Sequence, residues 1–210
     1  MSDIPFKDEL RRKLVHLSSF WMPISMVLLR SFRWYLAVFF GLLALGSVLV
    51  EHAFARGNQS VRKLYNIFFH NMLRKEPKPT DWVISGGPPV LAASCAVLVL
   101  FPPELAAACM ALMLGGDTAA ALIGRRFGRI RFANGKSLEG TIAFIVFGAL
   151  AFGVFFSFGQ ANCWHVVAAS CLAAVVGSLA ELFEKVIHID DNFGIPIFAG
   201  WAVQLLLLAL

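Results

Sequence analysis

Seven apolar runs, at roughly residues 14–29, 34–50, 82–101, 105–123, 138–158, 164–183 and 193–210, leave this chain few ways to fold. Most approach the ~20 residues that a helix needs to cross a hydrocarbon core, and the first two are slightly short. Inside a bilayer every backbone N–H and C=O has to be paired within the protein, so a spanning segment is a helix or part of a closed barrel. None of the runs alternates with period two, which excludes barrel strands. Composition agrees, with 59% of residues hydrophobic and only 15% charged, where a soluble domain has about a quarter charged. The sequence therefore predicts an all-α, polytopic integral membrane protein with about seven transmembrane helices. No interdomain linker interrupts it, so residues 1–210 read as a single membrane-embedded domain.

Lys and Arg set the orientation. With seven crossings and the N-terminus inside, sixteen of the eighteen basic residues fall on the inner side, and only Arg30 and Arg33 fall outside. The opposite orientation would reverse the positive-inside rule, so the N-terminus is expected in the cytoplasm. In a soluble protein a net charge of +5 would raise the question of nucleic acid. Here the basic residues sit in short loops between apolar runs, so they point to membrane orientation and anionic surface groups, with no nucleic-acid partner. Cys95, Cys109, Cys163 and Cys171 form no Cys-x-x-Cys pair and read as small buried hydrophobes. No cleavable signal peptide is visible. Five tryptophans mostly mark run ends, as interfacial rings do. Residues 60–73 place Val61, Leu64, Ile67, Phe68 and Met72 among basic residues, which predicts an amphipathic surface helix ended by Pro77 and Pro79.

Ionisable side chains at membrane depth are costly and mark candidate sites. Arg12 and His16 are four residues apart, on one face at the inner end of the first span, beside Lys13. Asp117 interrupts an apolar span about two turns before its inner end, and needs a partner, a proton or a metal ion. Gly116, Ala120 and Gly124 repeat every four residues around it, a stripe that admits a close backbone neighbour. Gly135, Lys136 and Ser137 are not a Walker A loop, because Ile130 stands where that motif needs its first glycine. They remain a glycine-bounded basic turn entering a helix, which offers backbone N–H groups and a Lys to phosphate. Glu139 in the first turn can cap the helix or hold a cation. Glu181 and Lys185 are spaced for an i,i+4 pair. Asp190, Asp191 and Asn192 supply hard oxygen ligands suited to a hydrated Mg²⁺ that bridges phosphates.

The run from Gly116-Asp117-Thr118 to Gly124-Arg125-Arg126-Phe127-Gly128, followed by Gly135-Lys136-Ser137-Leu138-Glu139-Gly140, resembles the nucleotide-binding signature of the CTP-dependent lipid kinases. That family includes dolichol kinase, phytol and farnesol kinases and the CTP-using diacylglycerol kinase. Arg12-Lys13-Leu14-Val15-His16 is similar to its N-terminal Arg-Lys-x-x-His element, and Asp191-Asn192-Phe193-Gly194-Ile195-Pro196 to its C-terminal Asp-Asn-x-x-x-Pro element. Many members carry Lys-Lys-Thr-x-Glu-Gly where this chain has Gly135 to Gly140; one Lys and the hydroxyl are kept. Leu73-Arg74-Lys75-Glu76 resembles a loop of bacterial members, and the expected location is the bacterial inner membrane rather than the endoplasmic reticulum.

The resemblance implies transfer of the γ-phosphoryl group of CTP to the hydroxyl of a membrane lipid, giving CDP and a lipid monophosphate. It implies that Asp117, Lys136 and Glu139 are catalytic, and that Arg12, Lys13, His16, Gly124, Arg125, Arg126, Gly128, Gly135, Ser137 and Gly140 bind nucleotide and phosphate. It further implies that Asp117, Asp191 and Asn192 hold Mg²⁺. Asp117 stands as metal ligand or as general base. The small-residue stripe is expected to leave a groove for the lipid tail. Phosphatidate cytidylyltransferase shares the central signature and takes CTP, so it is the alternative; it would release pyrophosphate. A transporter or scaffold is a second alternative, disfavoured because the polar residues cluster at one side rather than through the midplane.

Overall fold

The structure, a computed structural model, describes residues 6–63, 78–160 and 162–209. These form helices α1 (Phe6–Ser18), α2 (Trp21–Leu28), α3 (Arg33–Ala55), α4 (Gly87–Leu100), α5 (Pro103–Phe127), α6 (Leu138–Phe156), α7 (Cys163–Ile187) and α8 (Asp191–Ala209), with a 3₁₀ turn at Arg30–Phe32. No β-strand occurs among the described residues; one isolated bridge joins Arg131 and Ser137. Most of the predicted surface helix at 60–73, and the stretch from Leu73 to Glu76, lie outside the described residues. Its first turn is in place, with Asn58 Oδ1 accepting from Ser60 N at 3.1 Å and Val61 N at 3.3 Å, as an N-cap does.

Five helical segments, α3 with its preceding 3₁₀ turn and α5 to α8, are long and apolar enough to cross a bilayer. The other two apolar runs depart from the expectation of seven full spans, and proline is the reason in both. In the run 14–29 helix breaks at Ser19 and Phe20. Pro23 has no N–H to offer the Ser19 carbonyl, and its ring crowds that carbonyl four residues back. Met22 N turns to Ser19 O instead, at 2.9 Å, and the chain divides into α1 and α2. In the run 82–101, Pro88 and Pro89 fit only a first helical turn, so α4 starts at Gly87 and has 14 residues, about 21 Å of rise.

The bundle is built around α5, whose residues from Leu105 to Leu114 are all buried. Around it lie α1, α2, α4, α6, α7 and α8, and Phe40, Phe101, Phe144, Phe152, Met26 and Ile195 are wholly enclosed in the core. The outer surface is apolar. Leu28, Tyr35, Trp164 and Leu208 are each more than three-quarters exposed, whereas Glu9, Lys13, Glu51 and Glu181 are buried. This arrangement reverses that of a water-soluble protein and is the surface of a bundle facing lipid. All four cysteines are free; Cys163 and Cys171 face outward, contrary to the expectation that all are buried.

Close approach of α5 and α6 positions everything that follows. A Cβ on Gly140 would stand 2.9 Å from Ala120 O and 3.2 Å from Gly124 Cα, and one on Gly124 would stand 2.7 Å from Ser137 Oγ. A Cβ on Gly116 would meet the Phe144 ring at 2.9 Å. The stripe Gly116, Ala120, Gly124 is thus filled by α6, and the expected groove for a lipid tail is not there.

A second contact pins the base of the long excursion between α3 and α4. Buried Glu51, near the end of α3, accepts from Ile84 N at 2.7 Å, from Ser85 N at 3.2 Å and from the Ser85 hydroxyl. Beside it the His52 ring stacks on Trp82 with centroids 3.6 Å apart. Gly86 then lies against Asn192 at the start of α8.

Because two of the three atoms facing Gly140, Ala120 O and Gly124 Cα, are backbone and cannot yield, Gly140→Ala is expected to destabilise the bundle by about 1–3 kcal/mol. Thermal unfolding of the detergent-solubilised protein measures this, and an unchanged midpoint would show that α5 and α6 are less closely packed than described.

Candidate active site

Asp117 lies ten residues, about 15 Å of helix, before the end of α5. Its carboxylate is met from α1. Lys13 Nζ donates to Oδ2 at 2.5 Å, and His16 Nε2 stands 3.3 Å from the same oxygen. Lys13 and His16 are three residues apart, which puts both on one helix face. Arg12, expected on that face, turns instead to Glu9 at 2.7 Å. Glu9 also meets Arg125 of α5 at 3.5 Å. Glu9 was not among the expected site residues. The available signal was the spacing of Glu9, Arg12, Lys13 and His16, a polar i, i+3, i+4, i+7 stripe opposite Leu10, Leu14 and Val15, which are exposed.

Between α5 and α6 the chain makes a tight turn. Gly135 N donates to Phe132 O and Phe132 N to Lys136 O, both at 2.8 Å. Gly135 has φ of +88°, which accounts for glycine there. The turn aims Lys136 at the far end of α7. Its Nζ donates to Glu181 O at 2.6 Å and lies 3.2 Å from Glu181 Oε1, 3.6 Å from Glu184 Oε2 and 4.0 Å from Asp191 Oδ2. Asn134 Nδ2 donates to Leu182 O at 2.7 Å and Lys185 Nζ to Asn134 O at 3.0 Å. Cations on the last carbonyls of a helix are favourable in themselves. The expected Glu181–Lys185 pair is therefore replaced: Glu181 belongs to Lys136, and Lys185 fastens the turn.

The two lysines and their carboxylates form one neighbourhood. The charge on Asp117 feels Lys13, His16 and Lys136, that on Glu181 feels Asp117, Lys136 and Lys13, and that on Asp191 feels Asp117, Glu184 and Lys136. Four carboxylates, Asp117, Glu181, Glu184 and Asp191, thus share two ammonium groups. Glu181 Oε2 and His16 Nε2 are buried with no hydrogen-bond partner among the described residues.

Other expected site residues have structural duties here. Ser137 caps α6, its Oγ accepting from Gly140 N at 3.1 Å, so that helix-start amide is already taken. Gly124 and Gly140 lie in the α5–α6 contact, and Gly128 abuts Gly124 O and Ser137 as α5 ends. Glu139 Oε1 accepts from Arg129 N at 2.9 Å and Ile130 N at 3.3 Å, while its Oε2 is buried with no hydrogen-bond partner among the described residues. Asn192 Nδ2 donates to Asp190 Oδ1 at 3.0 Å, and Asp190 caps α8 through Asn192 N at 3.0 Å. Among the described residues no three His, Cys, Asp or Glu side chains converge on one point; of the expected trio, Asp117 is paired with Lys13, Asp191 lies 4.0 Å from Lys136 and Asn192 is bonded to Asp190. Lysine ammonium groups stand between the carboxylates instead.

Chemically, a partly desolvated layer of carboxylates and lysines is able to take up a phosphate on the lysines and a cation on the oxygens, each exchanging for a partner already present. Lys13→Met leaves Asp117 with only His16, and should cost up to about 3 kcal/mol of stability. Adding Asp117→Asn should recover part of that loss. Additive losses in thermal unfolding of the two single variants and the double variant would mean that Lys13 and Asp117 do not act as a pair.

Comparison with known proteins adds partial likenesses. Over 91% of its length this chain is 25% identical to a Rickettsia prowazekii protein described only as uncharacterized, of which the match covers 91%. It is 36% identical over 84 residues to dolichol kinase of Saccharomyces cerevisiae, covering 40% of this chain and 16% of that enzyme. It is 31% identical over 103 residues to CTP-dependent diacylglycerol kinase 1 of Eremothecium gossypii, covering 40% of this chain and 32% of that enzyme. No family model matches, and no solved structure matches. The chain is a helical, membrane-type bundle with a partial likeness to two lipid kinases.

Proposed function

We propose that this protein transfers the γ-phosphoryl group of CTP to the hydroxyl of a membrane lipid, a polyprenol, a shorter isoprenoid alcohol or diacylglycerol, releasing CDP. The observation that carries the reading is the largely enclosed Asp117 carboxylate, paired with Lys13 and 3.3 Å from His16, within electrostatic reach of Lys136, Glu181 and Asp191. The partial likeness to dolichol kinase and to a CTP-dependent diacylglycerol kinase supports it. On this reading the N-terminus is cytoplasmic, the chain crosses seven times with α1–α2 and α4 as its shorter crossings, and the site faces the cytoplasm of a bacterial inner membrane. The positive-inside count supports that orientation.

Phosphoryl transfer depends on alignment and charge neutralisation. The lipid oxygen forms a bond to the γ-phosphorus, the bond from that phosphorus to the β–γ bridging oxygen breaks, and CDP leaves with the electron pair. Lys136 and Lys13 would turn from their carboxylates to phosphate oxygens, with Arg125 and Arg126 at the end of α5 adding charge. Asp117 would accept the hydroxyl proton or hold a cation; both roles need its carboxylate. The excess of carboxylates over lysines and the unpartnered Glu181 Oε2 fit a divalent ion, and Asp117, Glu181 and Asp191 would hold Mg²⁺ once the lysines turn away. When bound, Mg²⁺ supplies neutralisation of phosphate charge.

The test is an assay of purified protein with γ-labelled CTP or ATP and a panel of lipid alcohols. Labelled lipid monophosphate with CDP is expected; pyrophosphate released from CTP plus phosphatidate would establish the cytidylyltransferase reaction instead. Asp117→Asn should lower turnover by about 10²–10⁴-fold while the protein still folds and inserts, with a lower unfolding midpoint because Lys13 loses its partner. Near-normal turnover in that variant would remove Asp117 from the mechanism.

A further inference from the structure

Glu9 of α1 is the most enclosed charged side chain at the site, yet the transfer step makes no use of it. Its two oxygens meet arginines of two helices. Oε1 lies 2.7 Å from Arg12 Nη2, and Oε2 lies 3.5 Å from Nη2 of Arg125, in the last turn of α5. Docking of α1 does not account for this. Lys13 already ties α1 to α5 through Asp117, and a carboxylate taken out of water between cations contributes little net stability, because desolvation offsets the attraction. The gradient of exposure is more informative. The Glu9 side chain is 4% exposed, against 23% for Arg12 and 33% for Arg125. The carboxylate therefore lies behind, and the two guanidinium groups lie on the more open side. A carboxylate that substrate displaces would lie in front. A guanidinium carries five N–H donors in a planar fork, so it can rest on a carboxylate behind it and meet a phosphate before it.

We infer that Glu9 is a positioning residue, which fixes Arg12 and Arg125 from behind so that they hold the part of the phosphate chain that leaves. The inference rests on the phosphoryl-donor reading above and adds to it a residue that no motif names. Position along the helices agrees. Glu9 and Lys13 are one turn apart on one face of α1. Their partners Arg125 and Asp117 are eight residues apart on α5, about 12 Å. Glu9 thus acts about two turns from Asp117, toward the end of α5. With the transferred group at Asp117, the phosphates beside it extend toward Arg125. Charge that gathers on the leaving phosphate as the bond breaks is stabilised best by donors already oriented before the reaction. A guanidinium on a long side chain gains that orientation only if something holds it.

The sign of one effect makes the test sharp. Removing a negative charge beside a polyanion site tightens binding if only the field matters; removing a support for its arginines weakens it. Binding of CTP and of inorganic tripolyphosphate to the purified, detergent-solubilised protein is measured by calorimetry, well below the unfolding midpoint of each variant, and steady-state rates are measured with CTP and a lipid alcohol. Glu9→Gln is expected to weaken both anions about 10-fold and to lower kcat/KM for CTP about 10–100-fold, with KM for the lipid alcohol unchanged. Glu9→Asp, which keeps the charge and shortens the reach by one methylene, should weaken both anions less, and it serves if Glu9→Gln does not fold. Arg11→Gln removes an exposed charge from the same helix and should leave these constants as they are. In an Arg12→Gln/Arg125→Gln background, Glu9→Gln should add less than about a 2-fold loss. Unaltered or tighter anion binding in Glu9→Gln overturns the assignment, as does an equal loss in Arg11→Gln or a full further loss in the double-arginine background; each of these leaves the kinase reading standing. Wild type that binds neither anion and transfers nothing from CTP would overturn the phosphoryl-donor reading, and this inference with it.

Discussion

A carboxylate removed from water in the middle of a helical bundle has to be answered by a cation, and in this chain that demand organises the N-terminal helix. Asp117 is on the central helix and Lys13 is its partner. Uncompensated, a buried charge costs several kcal/mol, so the pair is strongly coupled even where its net contribution is small. The consequence reaches all of α1. Its buried described side chains are Glu9 and Lys13, and both are charged. The helix therefore attaches through ion pairs, with Leu14 and Val15 turned outward where lipid tails satisfy them. An aqueous surface would favour the opposite rotation.

The same economy governs the other side of the site. Lys136 emerges from a turn fixed by a positive-φ glycine and reaches a helix end where both carbonyl dipoles and carboxylates await it. Lys136 and its carboxylates are thus partly shielded from water and already oriented by one another. Such preorganisation is what allows electrostatic contacts to act strongly on a developing charge without first rearranging solvent.

Much of this architecture was legible in the sequence, because hydrophobic run length and the absence of period-two alternation are properties of the chain alone. The buried position of Asp117 was legible for the same reason: a lone carboxylate in an apolar run has few fates. What escaped was decided by local covalent chemistry or by distant partners. Pro23 and Pro88 cut short the helices of two apolar runs, an effect that hydropathy does not register. The partners of Glu181 and Arg12 were misassigned because i,i+4 spacing marks neighbours on one helix and says nothing of a lysine 45 residues away. Gly124 and Gly140 resemble a ligand-binding signature, yet in the fold they let two backbones touch. A glycine required by packing and a glycine required by a phosphate look identical in a string of letters.

The Glu51 clamp has a consequence for how this chain can vary. Because Glu51 binds Ile84 and Ser85, and His52 stacks on Trp82, the departure and return of the stretch from 56 to 80 are tied together at its neck. Closure entropy grows only slowly with the number of residues in such a tethered excursion. Changes in the length of that stretch are thus tolerated while the register of α4 and the approach of Gly86 to the head of α8 stay as they are.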